Sequence, residues 1–367
     1  MTTAASRRFN SPHHAAPRTH LLSNDNYCVM VTAAGSGYSR WRDIAVTRWR
    51  EDPNCDPWGF FLLLRDVAGG RTWSAGYQPV GCEPDVYEAA FFEDRAEFTR
   101  TDGSMLTATE ILVSPEDDAE ARRVCVTNRG GGVREIEVTS YAEVVLASAA
   151  SDSAHPAFSK MFVQTDFVAD GGTLLATRRS REPGDPPLWM FHHCVVEGET
   201  TDALQFETDR ARFLGRGREL RDAACIVDAG PLSNTIGTVL DPVLALRRRV
   251  RIAPGESARI AFWSGIAPSR SQALALSAKY REISAFDRTK SLAGTYASAQ
   301  LRRLDIDIGE ALQFQSIANR VLYADSSLRA SREILSRNVF GPPVLQCVGI
   351  SGDLPIVLAQ IDAEGQL

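Results

Sequence analysis

The sequence predicts a mainly β protein, in which a large antiparallel sandwich is followed by a short helical segment. Up to about residue 268, short apolar runs return through glycine-containing turns with no helix between them, a pattern typical of antiparallel sheets packed face to face. Beyond that residue the apolar positions change to helical spacing. The 367 residues are enough for two domains or one large one.

The strand prediction rests on recurrent hairpins. Residues 96–100 and 105–113 flank the turn Thr101–Ser104, and residues 122–127 turn through Gly130–Gly132 into 134–138. Further strands are expected at 60–64, 71–74, 161–167, 174–179, 188–196, 248–252 and 258–263.

The helix prediction begins at Ser269, a plausible N-cap for residues 269–282. Three more helices are expected at 286–304, 309–323 and 331–336. Within the third, an apolar stripe is formed by Leu312, Phe314, Ile317, Leu322 and Tyr323. These helices are too few for a helical domain, so they are expected to pack on the sandwich or on a body outside this chain.

Composition and charge exclude several classes of protein. Lys and Arg total 40 against 46 Asp and Glu, a net charge of −6, so no nucleic-acid partner is expected. No apolar run is long enough to span a membrane. Residues 1–18 lack the apolar core of a signal peptide and are expected to be a flexible lead-in.

The seven cysteines are scattered and form no CxxC pair. This spacing predicts free thiols, no disulfide framework, no metal site and a cytoplasmic location.

The densest group of functional side chains lies in residues 33–58, which hold three tryptophans, four arginines and a tyrosine between glycines and prolines that predict loops. Aromatic faces beside multi-donor polar groups suit a sugar, whose C–H faces stack on rings while its hydroxyls need planar partners. The candidate sugar-contact residues are Tyr38, Arg40, Trp41, Arg48, Trp49 and Arg50. Alternatively, Trp41, Trp49 and Trp58 anchor the core and the arginines are ion-pair partners, and the sequence leaves both interpretations open.

Motifs of catalysis are incomplete. Adjacent carboxylates in a strand point to opposite faces and cannot flank one glycosidic bond, and residues 116–118 are expected to be a solvated turn. Residues 349–353 approach a nucleophile elbow but end in Asp353. His192 and Cys194 share a face of a predicted strand, yet two ligands do not make a metal site. No cofactor is expected, and a binding or structural role is favoured over catalysis.

Several blocks nevertheless resemble a known family. The segments HLLSNDNYCVMVTAAGSGYSRWRDIAVTRWREDP, DPWGFFLLLRDV, VSPEDDAEARRVCVTNRG, DRARFLGRGREL, PLSNTIGTVLDPVLALRRRV and GISGDLPIVL occur in order. They resemble the glycoside hydrolase family 94 phosphorylases, and most of all the phosphorylase-like region of cyclic β-1,2-glucan synthases.

The resemblance implies a β-supersandwich over residues 19–268 and a helical linker over residues 269–336. Residues 337–367 are then expected to be the start of an (α/α)₆ barrel domain, and the chain is expected to be truncated before the barrel itself. In the family the barrel holds the general acid and the phosphate site, so this chain is expected to lack independent catalysis. Asp353 resembles part of the barrel-entrance segment. Residues 342–348 depart from the family pattern there.

The leading hypothesis is therefore a non-catalytic, carbohydrate-associated domain that binds β-glucan or a gluco-oligosaccharide, taken from an enzyme of phosphorylase or glycosyltransferase type. The resemblance also implies a homodimer, in which a sandwich loop reaches a neighbouring subunit. The alternatives are a scaffold subunit that docks onto a separately encoded barrel, and a truncated remnant without function.

Overall fold

The computed structural model describes residues 6–179, 187–323, 328–341 and 343–351. Within these residues, nineteen strands precede the long helices. The strands are β1 (Arg7–Phe9), β2 (Thr19–Ser23), β3 (Tyr27–Thr32), β4 (Gly37–Trp41), β5 (Ile44–Thr47), β6 (Phe60–Asp66), β7 (Thr72–Ser74), β8 (Val86–Phe91), β9 (Ala96–Asp102), β10 (Met105–Val113), β11 (Ala119–Asn128), β12 (Arg134–Ser148), β13 (Val163–Val168), β14 (Thr173–Arg178), β15 (Trp189–Glu197), β16 (Glu199–Thr200), β17 (Gln205–Asp209), β18 (Pro242–Ile252) and β19 (Ser257–Ala267).

Short helices interrupt the strands, and longer ones follow them. The described helices are α1 (Ala149–Ala154), α2 (Pro156–Lys160), α3 (Arg210–Leu214), α4 (Ala224–Val227), α5 (Arg270–Lys279), α6 (Ala285–Leu304), α7 (Ile308–Leu322), α8 (Arg332–Ser336) and α9 (Pro343–Gln346), with a 3₁₀ turn at Leu220–Asp222. The predicted helices α5 to α8 are confirmed. Helices α1 to α4 fall where the sequence predicted only β-structure.

Two antiparallel sheets form the sandwich. The first sheet has the strand order β1-β8-β9-β10-β11-β19-β15-β14-β13, and the second follows β16-β18-β12-β5-β4-β3-β2, with β6, β7 and β17 attached to its side. The expected β9–β10 hairpin is present, with Met105 paired to Asp102. The mainly β prediction is therefore confirmed.

The core lies between the sheets, and two smaller apolar clusters cover their outer faces. On the first sheet, α5 and α6 close over Trp263, whose ring stacks on Tyr280 with 4.0 Å between centroids. On the second sheet, α3 and α4 cover Phe61 and Tyr141 with Phe213. Each sheet is thus shielded by helices on part of its outer face.

Two expectations about loops are corrected. The lead-in predicted to be flexible contributes β1, whose Arg7 pairs with Phe91 and donates a 2.7 Å hydrogen bond to the carbonyl of Thr19. The segment 33–58, predicted to be loops, contains β4 and β5. Long-range pairing with β8 orders β1, while β4 pairs locally with β3 and β5, and β5 also pairs with the distant β12. Local composition does not reveal these pairings.

Candidate functional site

Arg48 follows β5 and points into the molecule. Its side chain is 2% exposed. Nη1 lies 2.6 Å from Glu143, while Nε and Nη2 donate to the two carboxylate oxygens of Asp152 at 2.9 and 3.0 Å. Burial alone lowers the pKa of Arg48, but the hydrogen bonds and charges of Asp152 and Glu143 outweigh it and raise that pKa. The prediction that Arg48 contacts sugar is therefore not supported, because its donors are already used inside the protein.

Tyr38 and Trp49 meet in an aromatic cluster with Tyr323, the residue that follows α7. The Trp49 ring lies 5.4 Å from Tyr38 and 5.7 Å from Tyr323, edge to face in both cases. Tyr323 is buried and donates a 2.7 Å hydrogen bond to the carboxylate of Asp56. Burial, chiefly, raises the pKa of Tyr38 to about 12 and that of Asp56 to about 6. This cluster fastens the end of α7 to the segment 49–56.

Trp41 and its neighbours form a separate surface. The indole nitrogen of Trp41 donates a 2.6 Å hydrogen bond to Asp118, and the Arg42 guanidinium lies 4.7 Å from its ring. Arg40 is exposed, and its Nε donates to the carbonyl of Arg42 at 2.5 Å. The anchoring role weighed for Trp41 fits this half-buried position, in which its ring packs on the core.

Arg50 lies in another place, and with it the predicted set divides into four places. Its guanidinium lies 5.8 Å from the ring of Trp58. Arg48 belongs to an internal ion cluster, and Tyr38 and Trp49 belong to the aromatic cluster. Arg40 and Trp41 share one surface and Arg50 lies on another, so the six predicted residues do not converge on one site.

Beside Trp58 the structure has a groove of about 1130 Å³. Residues 52–58 and 77–81 border it, together with residues 12–18 of the N-terminal segment and residues 218–221 behind α3. Gln78 donates a 3.0 Å hydrogen bond from its side-chain nitrogen to the carbonyl of Cys55, which ties two of these segments together. At the back of the groove, Nε of Arg210 donates to Glu143 at 2.7 Å.

Sequence reasoning missed most of the residues of this groove. Tyr77, Gln78, Arg218 and Arg221 lie far from residues 33–58 in the chain. The segment DRARFLGRGREL carried part of the family resemblance, and this was the one signal that pointed to the residues near Arg218.

Helix α7 docks on the free edge of β2 through its polar side. The side-chain amide of Gln315 accepts from the backbone nitrogen of Leu21 and donates to its carbonyl, both at 2.9 Å. One turn later, Asn319 accepts from the backbone nitrogen of Thr19 at 2.5 Å. The opposite face, with Phe314 and Ile317, is left 53% and 55% exposed.

The other groups weighed for chemistry have structural partners. His192 is buried and lies 2.8 Å from both Ser140 and Ser264, and burial chiefly lowers its pKa to about 3. Asp117, expected in a solvated turn, pairs with Lys279 at 2.6 Å. Among the described residues, no group of three or more His, Cys, Asp or Glu could hold a metal ion. Asp353 lies outside the described residues.

Comparison with known families decides the relationship. The sequence model of the glycosyl hydrolase 94 supersandwich domain matches residues 3–283. The chain belongs to this family. The resemblance expected from the sequence is thereby confirmed.

Relatives of this supersandwich chain are much longer proteins. It is 39% identical over 361 residues to the cyclic β-(1,2)-glucan synthase NdvB of Rhizobium meliloti (strain 1021), a match that covers 98% of this chain and 13% of the synthase. It is 27% identical over 282 residues to the N,N'-diacetylchitobiose phosphorylase of Vibrio furnissii, covering 75% of this chain and 34% of the phosphorylase.

Among solved structures, a bacterial glucoamylase complexed with acarbose superimposes with a TM-score of 0.50 and 8% sequence identity. The match covers 81% of this chain and 41% of the glucoamylase. At that identity, the likeness concerns the fold alone.

No described helix of the supersandwich chain has both the length and the apolar character that a membrane crossing needs.

Proposed function

We propose that this chain is a non-catalytic, carbohydrate-associated domain that binds β-glucan and serves an enzyme of glycoside phosphorylase or glycosyltransferase type. The observation that carries the proposal is the match to the supersandwich domain over residues 3–283, combined with 39% identity to a protein named for β-(1,2)-glucan. Half-buried aromatic and exposed arginine side chains near residues 38–58 supply the group types that sugars require. The acidic balance and the free cysteines favour a cytoplasmic location and no nucleic-acid partner.

Isothermal titration of the purified chain with linear β-1,2-linked gluco-oligosaccharides tests this function. We expect saturable heat, and a matched titration with an α-1,4-linked oligosaccharide serves as the control for linkage. Equal heats with both sugars would limit the proposal to general carbohydrate binding, and no heat with either would contradict it.

The exposed face of α7 favours a second candidate, a scaffold that docks onto a helical barrel encoded separately. The amide side chains of Gln315 and Asn319 orient α7 so that Phe314 and Ile317 point away from the sandwich. Exposed apolar side chains that share a helix face are typical of contact surfaces.

Co-purification with a separately expressed family 94 barrel tests the docking candidate. We expect the double variant Phe314→Asp, Ile317→Asp to abolish the complex, while Ser316→Asp on the same helix preserves it. A homodimer in place of that complex, detected by light scattering, would favour the expected self-association, and the absence of any assembly would exclude the scaffold role.

A further inference from the structure

We propose that the groove beside Trp58 is the site that holds the carbohydrate, and that its ligand is a neutral gluco-oligosaccharide. This inference rests on the proposed function and names the place and the ligand class. It moves the contact surface from the predicted residues 38–50 to side chains brought together from distant parts of the chain.

The dimensions of the groove suit an oligosaccharide better than a single sugar. Its volume of about 1130 Å³ lies just above the roughly 300–1,000 Å³ that is usual for small-molecule sites. The groove is bordered by five segments of the chain, which are residues 12–18, 32–34, 52–58, 77–81 and 218–221. Several sugar units therefore have room to contact different segments at once.

The groove combines rings with planar polar groups. Trp58 and Tyr77 are half-buried at its border, and a pyranose can place its C–H face on such rings. Gln78, Arg218 and Arg221 contribute amide and guanidinium groups, and the donors that Cys55, Asp228 and Glu219 leave unused can bond to hydroxyls. Because these types of group occur together, the groove can satisfy both the apolar and the polar sides of a sugar.

The formal charges of the groove cancel, which favours a neutral ligand. Its lining contains four arginines and four carboxylates; these are Arg18, Arg210, Arg218 and Arg221 with Asp52, Asp56, Glu143 and Glu219. Some of them are already paired, as Arg221 is with Glu219 at 3.2 Å. A phosphate or nucleic-acid site would need a net positive lining.

The walls of the groove are fixed before any ligand arrives. The carbonyl of Trp58 accepts a 2.8 Å hydrogen bond from the backbone nitrogen of Gly37, and the backbone nitrogens of Tyr77 and Gln78 donate to the carbonyl of Ala34 at 2.9 and 2.8 Å. With Gln78 bonded to Cys55 as well, two of the bordering segments are held in place. Such preorganisation lowers the entropy cost of binding.

Titration of groove variants with a linear β-1,2-linked gluco-oligosaccharide tests the inference. We expect Trp58→Ala to weaken binding about tenfold through loss of the stacking surface. Arg221→Ala should weaken it about fivefold through loss of hydrogen bonds. The matched control is Arg251→Ala. Arg251 is also an exposed arginine that lies near a carboxylate, 3.7 Å from Glu199, but its strand β18 is outside the groove lining.

The outcomes separate this inference from the proposed function. If the wild-type chain binds and both groove variants bind equally well, the groove is excluded while the proposed function stands. If the wild-type chain gives no heat, the proposed function itself fails. If Trp58→Ala proves unfolded by circular dichroism, the titration of Arg221→Ala decides alone. Displacement of the sugar by inorganic phosphate would overturn the inference that the ligand is neutral.

Discussion

At the scale of single residues, the guanidinium of Arg48 is buried in an ion cluster beside the second sheet. It contacts Glu143 and Asp152 directly, and Asp241 lies 3.7 Å away. Glu143 also accepts from Arg210, so one set of charges links β12, α1 and α3. Although burial by itself raises the pKa of Glu143, Arg210 and Arg48 hold that pKa below its ordinary value.

Arg48→Ala should destabilise the protein by about 3–5 kcal/mol, because the substitution removes the guanidinium that bonds both oxygens of Asp152 and leaves Glu143 with Arg210. The free energy of unfolding, measured by urea denaturation, checks this value. Exposed Arg40 gives the control, since Arg40→Ala should change the free energy by less than about 0.5 kcal/mol. If Arg48→Ala lowered the free energy of unfolding no more than Arg40→Ala does, the ion cluster would contribute no stability.

The buried carboxyl of Asp56 should make stability depend on pH. Its pKa in the folded protein is about 6 against an ordinary 3.8, because of burial. Its contribution to stability is therefore fully present below 3.8 and is lost as pH rises through 6. Asp56→Asn keeps an oxygen that accepts from Tyr323, but its side chain cannot ionise. As pH rises across that interval, the free energy of unfolding of the variant relative to wild type should therefore increase, by at most about 3 kcal/mol.

Urea denaturation of both proteins at pH values on either side of the interval tests this dependence. The exposed substitution Gln313→Ala, which removes no ionisable group, serves as the control and should give a difference that does not vary with pH. A constant difference for Asp56→Asn as well would contradict the raised pKa.

At the scale of elements, α7 protects the edge of the second sheet. Its start is fixed by a capping box in which Asp307 and Glu310 bond reciprocally to backbone nitrogens. Gln315 and Asn319, one turn apart, then occupy backbone groups of β2 that an edge strand otherwise leaves unpaired. The polar side of the helix is thereby used on the sandwich, which is why the apolar side faces outward.

Gln315→Ala should loosen this contact, since two hydrogen bonds to Leu21 are lost, each worth about 0.5–1.5 kcal/mol. Hydrogen exchange of the Leu21 amide should accelerate about tenfold or more. Gln313, which is exposed on the same helix, supplies the matched control Gln313→Ala with unchanged exchange. Unchanged exchange in both variants would show that the amide of Gln315 does not hold the strand edge.

Local signals allowed the elements to be predicted better than the site. The β9–β10 hairpin and helices α5 to α8 follow from turn residues and apolar spacing within short windows. Strand β1 did not, because its partner β8 lies far away in the chain. Strands β4 and β5 pair with their chain neighbours, but the glycines and prolines in residues 33–58 favoured loops there. Of the groove, the sequence pointed to residues 52–58 and, through the family resemblance, to those near Arg218. Residues 12–18 and 77–81 come from distant segments that it did not single out.

At the scale of the whole molecule, the matched part of the chain covers 13% of the related glucan synthase and 34% of the related phosphorylase. Phosphorolysis needs an acid that protonates the glycosidic oxygen and a cationic pocket for phosphate. The groove, with four arginines against four carboxylates, does not provide such a pocket.

The purified chain should therefore release no glucose 1-phosphate from β-1,2-glucan and phosphate. An intact family 94 phosphorylase with its own substrate serves as the positive control of the assay. Turnover that copurifies with the chain and is lost in Trp58→Ala would overturn the non-catalytic proposal.

The sequence by itself determined the fold class, the change from strands to helices and the family, because each depends on local periodicity or on ordered blocks of residues. Only the tertiary structure decided which arginines and tryptophans are internal. Arg48 is buried by Glu143 and Asp152, which lie 95 and 104 positions away in the chain, and Tyr323 reaches Asp56 across 267 positions. The physical reason is that the burial of a charged or aromatic side chain depends on partners brought together by sheet pairing, which the pattern around that side chain does not encode.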